Sequence, residues 1–575
     1  MKKFLLGVLI GFLFTGFAMV ILLFAMARVA SRPPAIASDS ILVYRLEGAL
    51  PEKPGVEIPI PFFQEMSPPT VRDHWELLRK AAADSRVRGI VFMPEGVSAG
   101  WAKLDEIRSG LAAFRKSGKP VYAYLRAPGA REYYLAAAAD RIYMAPEDFL
   151  DLKGLRAELT YFKGTLDKIG VRIEIERAGK YKDAGDMFTR TSASPETREV
   201  MNSILDGLYG QLVEGLGTAR KKSPAEMRAI IDQGPFTAKE AQAAGLVDAL
   251  RYQDQAFGEL RDRLKLHDLH KLALYDYRKV PPETVGLETG GRVALVVAEG
   301  DIIRGDADSP FGGDHFVTSE GMTKLLERVG SDHSIRGVIV RIDSPGGDGF
   351  ASDDIWREMM LLSKKKPLVI SMSDLAASGG YYIAMTGSPI LADPGTFTGS
   401  IGVFYGKIDL RGLYDKLGVQ KDILSRGRFA DIDSDYTPLS DAERRKLQDS
   451  IDSFYQTFVE KVAEGRKRSY SQIEPIAQGR VWLGSQALAN GLVDQLGGLD
   501  KAIEVLKQRA HLPASEKVRL VAYPPRRTIF ERLLSRDTSA AAPEAQFIQL
   551  LRSYSTRTWM RGGMLKMMPY TIEVK

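Results

Sequence analysis

Lys119–Pro146 reads KPVYAYLRAPGAREYYLAAAADRIYMAP, and Lys366–Pro394 reads KPLVISMSDLAASGGYYIAMTGSPILADP. Each stretch opens on Lys-Pro, runs through a strand-like apolar segment, turns, enters a short helix-like segment around Tyr-Tyr, and ends in a second apolar strand. Tyr133-Tyr134 recur as Tyr381-Tyr382, a shift of 248 residues (381 − 133). The same shift sets Ser378 opposite Ala130, and Lys182 opposite Ala430. One copy keeps a hydroxyl and the other an amine, and each faces alanine in its counterpart. This complementarity predicts a single serine–lysine pair assembled from both copies.

The likeness extends outward in both directions. ILVYRLEG (Ile41–Gly48) corresponds to ALVVAEG (Ala294–Gly300), and RVRGIVFM (Arg86–Met93) to SIRGVIVRID (Ser334–Asp343). KIGVRIEIERAGKYKD (Lys168–Asp183) matches KLGVQKDILSRGRFAD (Lys416–Asp431), and AAGLVDAL (Ala243–Leu250) matches ANGLVDQL (Ala489–Leu496). Apolar strands alternate with helix-compatible segments, the signature of βαβ crossovers and a mainly parallel sheet. The predicted fold class is α/β, duplicated in tandem. A repeat of this length is a duplicated domain, since solenoid repeats run about 20–50 residues.

Each copy also predicts a long amphipathic helix. Ser194 and Pro195 supply N-cap and first-turn signals in the first. Ser440 and Glu443 form a capping box in the second, ahead of the stripe Leu447, Ile451, Tyr455, Phe458 and Val462. That stripe is expected against the chain's own sheet or a neighbouring protomer. The expected organisation is residues 1–30 a membrane anchor, 31–40 a linker, 41–260 a first repeat supplying the lysine, 261–291 a connecting segment, 292–518 a second repeat supplying the serine, and 519–575 a C-terminal extension with no counterpart.

With 575 residues the chain exceeds one ordinary core, and 45% hydrophobic residues suit a globular protein. The net charge of +6 is spread among acids and bases, so no nucleic-acid partner is expected. The chain has no cysteine, which excludes a thiol nucleophile, disulfides and cysteine-ligated metal. His74, His267, His270, His315, His333 and His511 form no metal-binding pattern and are read as solvated surface residues; no metal or cofactor is expected. Phe4–Ala27 (FLLGVLIGFLFTGFAMVILLFAMA) is an uncharged apolar run. It exceeds the 7–15 residues usual for the core of a cleaved signal peptide and matches the roughly 20 needed to cross a bilayer. An uncleaved anchor is expected, with the body on the outer face of the cytoplasmic membrane.

The chemistry concentrates in the second copy. VRIDSPGGDGFASDDI (Val340–Ile355) leaves a strand, turns at Ser344-Pro345-Gly346-Gly347 and enters a helix. Glycines let backbone amides approach a ligand, and amides beside a helix start suit an oxyanion. The first copy reads FMPEGVSAGWAKLDEI there and lacks the paired glycines. Ser378 follows a strand and two alanines and precedes Gly379-Gly380, a setting that can expose its oxygen while the next amide faces the same oxyanion. A serine needs a base. No histidine lies in the matching motifs; a lysine serves when its amine is neutral, a form favoured by burial. Lys182 in RAGKYKDAGDMF is the candidate, with Lys180 the rival if the register slips by two. PGTFTGSIGVF (Pro394–Phe404) adds Ser400, placed to hold the lysine amine.

These motifs, in this order, resemble the long, duplicated form of the signal peptide peptidase A (protease IV) family. The resemblance covers nearly the whole chain to about Val518 and implies two crotonase/Clp-protease-like domains. It implies a membrane-bound serine endopeptidase with Ser378 as nucleophile, Lys182 as general base, Ser400 orienting the lysine, and the Gly347 and Gly379 amides as oxyanion donors. It further implies remnant signal peptides and other apolar peptides as substrates, and a homotetramer. Asp343, where asparagine is frequent, and Asp348 depart from the pattern. Two other functions fit parts of it. A crotonase-like acyl-CoA enzyme would use the glycine turn without a serine nucleophile, and a catalytically silent membrane scaffold would use the helices for assembly.

Overall fold

A computed structural model describes residues 35–54, 68–305, 316–525 and 564–568, with scattered helical positions between residues 7 and 21. The expected anchor Phe4–Ala27 lies largely outside the described residues, and among those described no helix is long and apolar enough to cross a membrane.

Each repeat is built on its own sheet. The first runs in the order Ala249–Leu250, Arg141–Met144, Val121–Leu125, Val87–Ser98, Ser40–Ala49, His270–Ala273, with every neighbour parallel. The second follows the same plan: Leu368–Ala377, Ile335–Ser344, Arg292–Glu299 and Arg519–Tyr523 are parallel neighbours, and Ile390–Ala392 joins Leu368–Ala377 to Gln495–Leu496. It adds Phe397–Gly399 and an antiparallel Val481–Leu483 at one edge. Helices cover the sheets, so strands such as Val293–Ala298 are buried on both faces and read as unbroken apolar runs.

The duplication reaches individual hydrogen bonds. Tyr133 Oη donates to Leu246 O at 2.7 Å and Tyr381 Oη to Leu492 O at 2.8 Å. Tyr134 Oη meets Asp105 and Tyr382 Oη meets Asp353. Arg220 pairs with Asp248, as Arg466 does with Asp494. Both long helices, Pro195–Arg220 and Asp441–Arg466, start on the anticipated serine caps. In the second helix, Leu447, Ile451, Phe458 and Val462 are buried and Tyr455 is half-buried. Burying each large aliphatic or aromatic side chain there stabilises the fold by about 1.5–3 kcal/mol.

Two strands of the repeat sheets lie outside the expected repeat limits. The expected connecting segment 261–291 contains His270–Ala273, which extends the first sheet beside Ser40–Val43. The expected extension 519–575 begins with Arg519–Tyr523, which closes the second sheet at the equivalent edge. Both are short strands whose partners lie more than two hundred residues away, so local pattern gave no sign of them.

A third, mixed sheet joins the repeats. Its order is Phe316–Thr318, Asp301–Ile303, Gly346–Asp348, Met564–Met567, Val403–Asp409, Arg172–Ala178. Arg172–Ala178 of the first repeat pairs antiparallel along the whole of Val403–Asp409 of the second. The core is shared as well: Ala377, Phe397, Val481 and Leu483 of the second repeat belong to the first repeat's apolar cluster.

Candidate active site

Ser378 lies between the strand Leu368–Ala377 and the short helix Gly379–Ile383. Its backbone is at φ +54°, ψ −113°, a conformation that L residues rarely adopt. Such strain costs about 1–3 kcal/mol and persists only where the surroundings enforce it. Here Ser378 N–H donates to Gly399 O at 2.8 Å, and Ser378 O accepts from Tyr382 N at 2.8 Å. Gly380 packs so closely on Ser344 that an added Cβ would lie 2.6 Å from Ser344 O. The serine turn and the Ser344-Pro345-Gly346-Gly347 turn are thereby held together, and Gly347, at φ +152°, backs onto Ile302.

Lys182 arrives from the other repeat, on the turn after Arg172–Ala178. Its Nζ lies 2.9 Å from Ser378 Oγ, 3.0 Å from Ser400 Oγ and 3.0 Å from Ser400 O. Lys182, Ser378 and Ser400 are each 0% exposed. Two glycines make room for the lysine: a Cβ on Gly402 would lie 3.0 Å from Lys182 Cδ, and one on Gly479 would lie 2.6 Å from Lys182 N and Cβ. Tyr181 N–H donates to Gln478 O at 2.8 Å and Ser400 N–H to Arg480 O at 2.7 Å, which ties the lysine turn and the Ser400 turn to the same loop. Lys180 is exposed and stacks over Tyr181, so the register slip of two does not occur.

Beside this centre, Met564–Met567 runs antiparallel to Gly346–Asp348, with Lys566 opposite Gly347, and antiparallel to Phe404–Tyr405. Met568 N–H donates to Pro345 O at 2.7 Å, and Met568 is buried. The edges of the glycine turn and of Val403–Asp409 thus bracket an extended segment of the chain itself. Asp348, one of the two departures, accepts from Phe350 N and Ala351 N and pairs with Arg304, which makes it the cap of the helix Gly349–Lys365.

Apart from Asp343, sequence reading missed the charged groups behind the turns. Lys103 Nζ lies 2.7 Å from Asp343 Oδ2, and Asp374 accepts from Gly100 N and Lys103 N. Arg341, 2% exposed, bridges Glu52 and Glu106 and donates to Ser371 and Ser373. Burial pushes the Asp343 carboxyl up to about 6 although Lys103 pulls it down. Burial opposes the Lys103 ammonium, yet Asp343, Asp374 and Glu52 hold it above its ordinary value. The spacing was a usable signal: Asp343 stands four residues before Gly347 and Asp374 four before Ser378. His74 also departs from expectation, being buried with Nδ1 3.0 Å from Tyr44 Oη; burial pushes its imidazole down to about 4. Among the described residues no group of three or more His, Asp or Glu is arranged to hold a metal ion.

The sequence pattern of Peptidase family S49 matches twice, at residues 113–267 and 360–513, once in each repeat. The chain is 38% identical over 450 residues to "Serine protease SPPA, chloroplastic" of Arabidopsis thaliana, a match covering 77% of this chain and 66% of that one. It is 33% identical over 448 residues to "Protease 4" of Haemophilus influenzae, covering 75% and 71% respectively. Among solved structures, "ClpP1 from Listeria monocytogenes" aligns at 16% identity and a TM-score of 0.22, over 36% of this chain and 91% of that one. With the family pattern present in both repeats and relatives matched across both, the chain belongs to peptidase family S49, the serine endopeptidases of the signal peptide peptidase A type, in its duplicated form.

Proposed function

We propose that this chain is a membrane-anchored endopeptidase that degrades remnant signal peptides with a Ser378–Lys182 dyad. The observation that carries the dyad is the 2.9 Å approach of Lys182 Nζ to Ser378 Oγ, two fully buried groups delivered by different repeats. General-base action requires the neutral amine, which has two N–H donors and one lone pair. In that form the two donors would face Ser400 Oγ and Ser400 O, and the lone pair would accept from the Ser378 hydroxyl. Burial favours that uncharged form by penalising the ammonium.

In this reading Lys182 accepts the Ser378 proton as Oγ attacks a peptide carbonyl carbon. The Gly347 and Gly379 amides receive the negative charge on the carbonyl oxygen; losing one such donor costs about 3 kcal/mol in barrier. The C–N bond breaks as Lys182 returns its proton to the leaving amine. A water, deprotonated by Lys182, then cleaves the Ser378 ester. A substrate entering as an extended strand beside Gly346–Asp348, in place of Met564–Met567, makes main-chain hydrogen bonds irrespective of sequence. That mode suits peptides recognised by apolar character. The apolar run Phe4–Ala27 would hold the body beside the membrane in which signal peptides are left, on the outer side.

The test is cleavage of an apolar reporter peptide by the purified chain. Ser378→Ala and Lys182→Ala should each abolish turnover while the protein stays folded. A fluorophosphonate should label Ser378 in the unaltered chain and far more slowly in Lys182→Ala. Near-normal turnover in either variant rejects the dyad.

A further inference from the structure

We propose that Lys103, Asp343 and Asp374 form a clamp by which the first repeat positions both the oxyanion turn and the nucleophile turn of the second. The inference rests on the peptidase reading of Ser378 and adds positioning residues to it. Asp343 is the penultimate residue of the strand Ile335–Ser344, which leads directly into Pro345-Gly346-Gly347. Asp374 lies in the strand Leu368–Ala377, which ends at Ser378. These neighbouring strands carry the two halves of the chemistry, and both acids turn to the start of one helix, Trp101–Arg115, in the opposite repeat.

That helix start is incomplete on its own. Its N-cap residue is Gly100, which has no side chain to satisfy the first-turn amides. Asp374 supplies the missing cap, accepting from Gly100 N at 2.8 Å and Lys103 N at 2.9 Å, so a carboxylate faces the positive helix end. Gly100 is required for this approach, since a Cβ there would lie 2.5 Å from Asp374 Cγ. One helical turn in, the Lys103 ammonium reaches 2.7 Å from Asp343 Oδ2 and 3.8 Å from Asp374 Oδ2. Asp343 Oδ1 completes the arrangement by accepting from Leu375 N at 3.0 Å, which fastens the two strands to each other. Lys103 is buried, so the pair is shielded from solvent and fixed in direction, unlike an exposed ion pair. None of the three touches Ser378, Lys182 or Ser400 in the hydrogen bonds described above. Their effect is on where the two turns sit.

A positioning role separates from a structural one by kinetics. In the full-length enzyme with the apolar reporter peptide, Lys103→Met should lower kcat about tenfold or more and leave KM within about twofold, because misplacement of reacting groups acts on the chemical step. Fluorophosphonate labelling of Ser378 should slow in parallel. Asp343→Asn should show the same split, since it sets an amide against the Lys103 ammonium. The double variant Lys103→Met/Asp343→Asn replaces the ion pair with two neutral groups and keeps an oxygen for Leu375 N–H, so it should recover most of kcat. Should Lys103→Met fail to fold, Asp343→Asn against the double variant decides the matter. Wild-type kcat in the folded single variants, or a double variant no faster than either, overturns the clamp. Ser378→Ala assayed alongside keeps the two failures apart. An inert unaltered chain, or an active Ser378→Ala, defeats the peptidase reading, whereas an active chain with an inert Ser378→Ala and no split defeats only the clamp.

Discussion

At the scale of single residues, the site was legible where two copies could be compared within one chain. Ser378 against Ala130 and Lys182 against Ala430 marked the two groups that meet at 2.9 Å, and Ser400 followed from its motif. The glycines that admit the lysine were not legible, because their demand comes from a close approach between distant segments. Gly479 is the sharpest case: φ is +78°, and it packs directly on the Lys182 backbone. Gly479→Ala would strain the backbone and push the lysine turn away, so peptide turnover should fall by about 10²-fold. Measuring kcat for the folded variant checks this, and a change under about threefold would contradict it. His74 escaped for a similar reason. Its environment, against Tyr44, which in turn packs on Phe92, is created by the strand order and not by its neighbours in sequence.

Among the elements, the long helices and central strands announced themselves through caps and apolar runs. The edge strands His270–Ala273 and Arg519–Tyr523 did not, being short and paired only across long sequence separations. The lysine strand shows how context selects structure. Arg172–Ala178 pairs with Val403–Asp409, whereas its counterpart around Val419–Arg426 has no such partner among the described residues and forms no strand. The sheets are also locked by charge. Arg341 on the strand Ile335–Ser344 is buried between Glu52 and Glu106 of the first repeat. Arg341→Met would leave two carboxylates buried without their cation, and should destabilise the fold by about 3–5 kcal/mol. Chemical denaturation of the variant beside the unaltered chain reads this directly.

For the molecule as a whole, the proposed dyad makes duplication a division of labour inside one polypeptide. The 2.9 Å contact between Lys182 and Ser378 is made within a single chain. Mixing full-length Lys182→Ala with full-length Ser378→Ala should therefore restore no cleavage, whereas exchange of lysines between chains would. The buried acids give a second whole-molecule expectation. Burial pushes Asp105, Asp183, Asp301 and Asp343 each up to about 6 from an ordinary 3.8. Between those values the folded chain binds protons that the unfolded chain does not, so these groups add stability as pH falls through about 6. His74, pushed down to about 4 from 6.5, acts in the opposite sense but is one group against four. The melting temperature should be higher at about pH 5.5 than at about pH 7.5, as scanning calorimetry would show. Met564–Met567 carries one more consequence. With that segment already lying along the glycine edge, a peptide entering as proposed would swap one set of amide–carbonyl bonds for an equivalent set, at almost no net enthalpy. Choice among guests would then fall to their side chains and to how readily the resident segment steps aside.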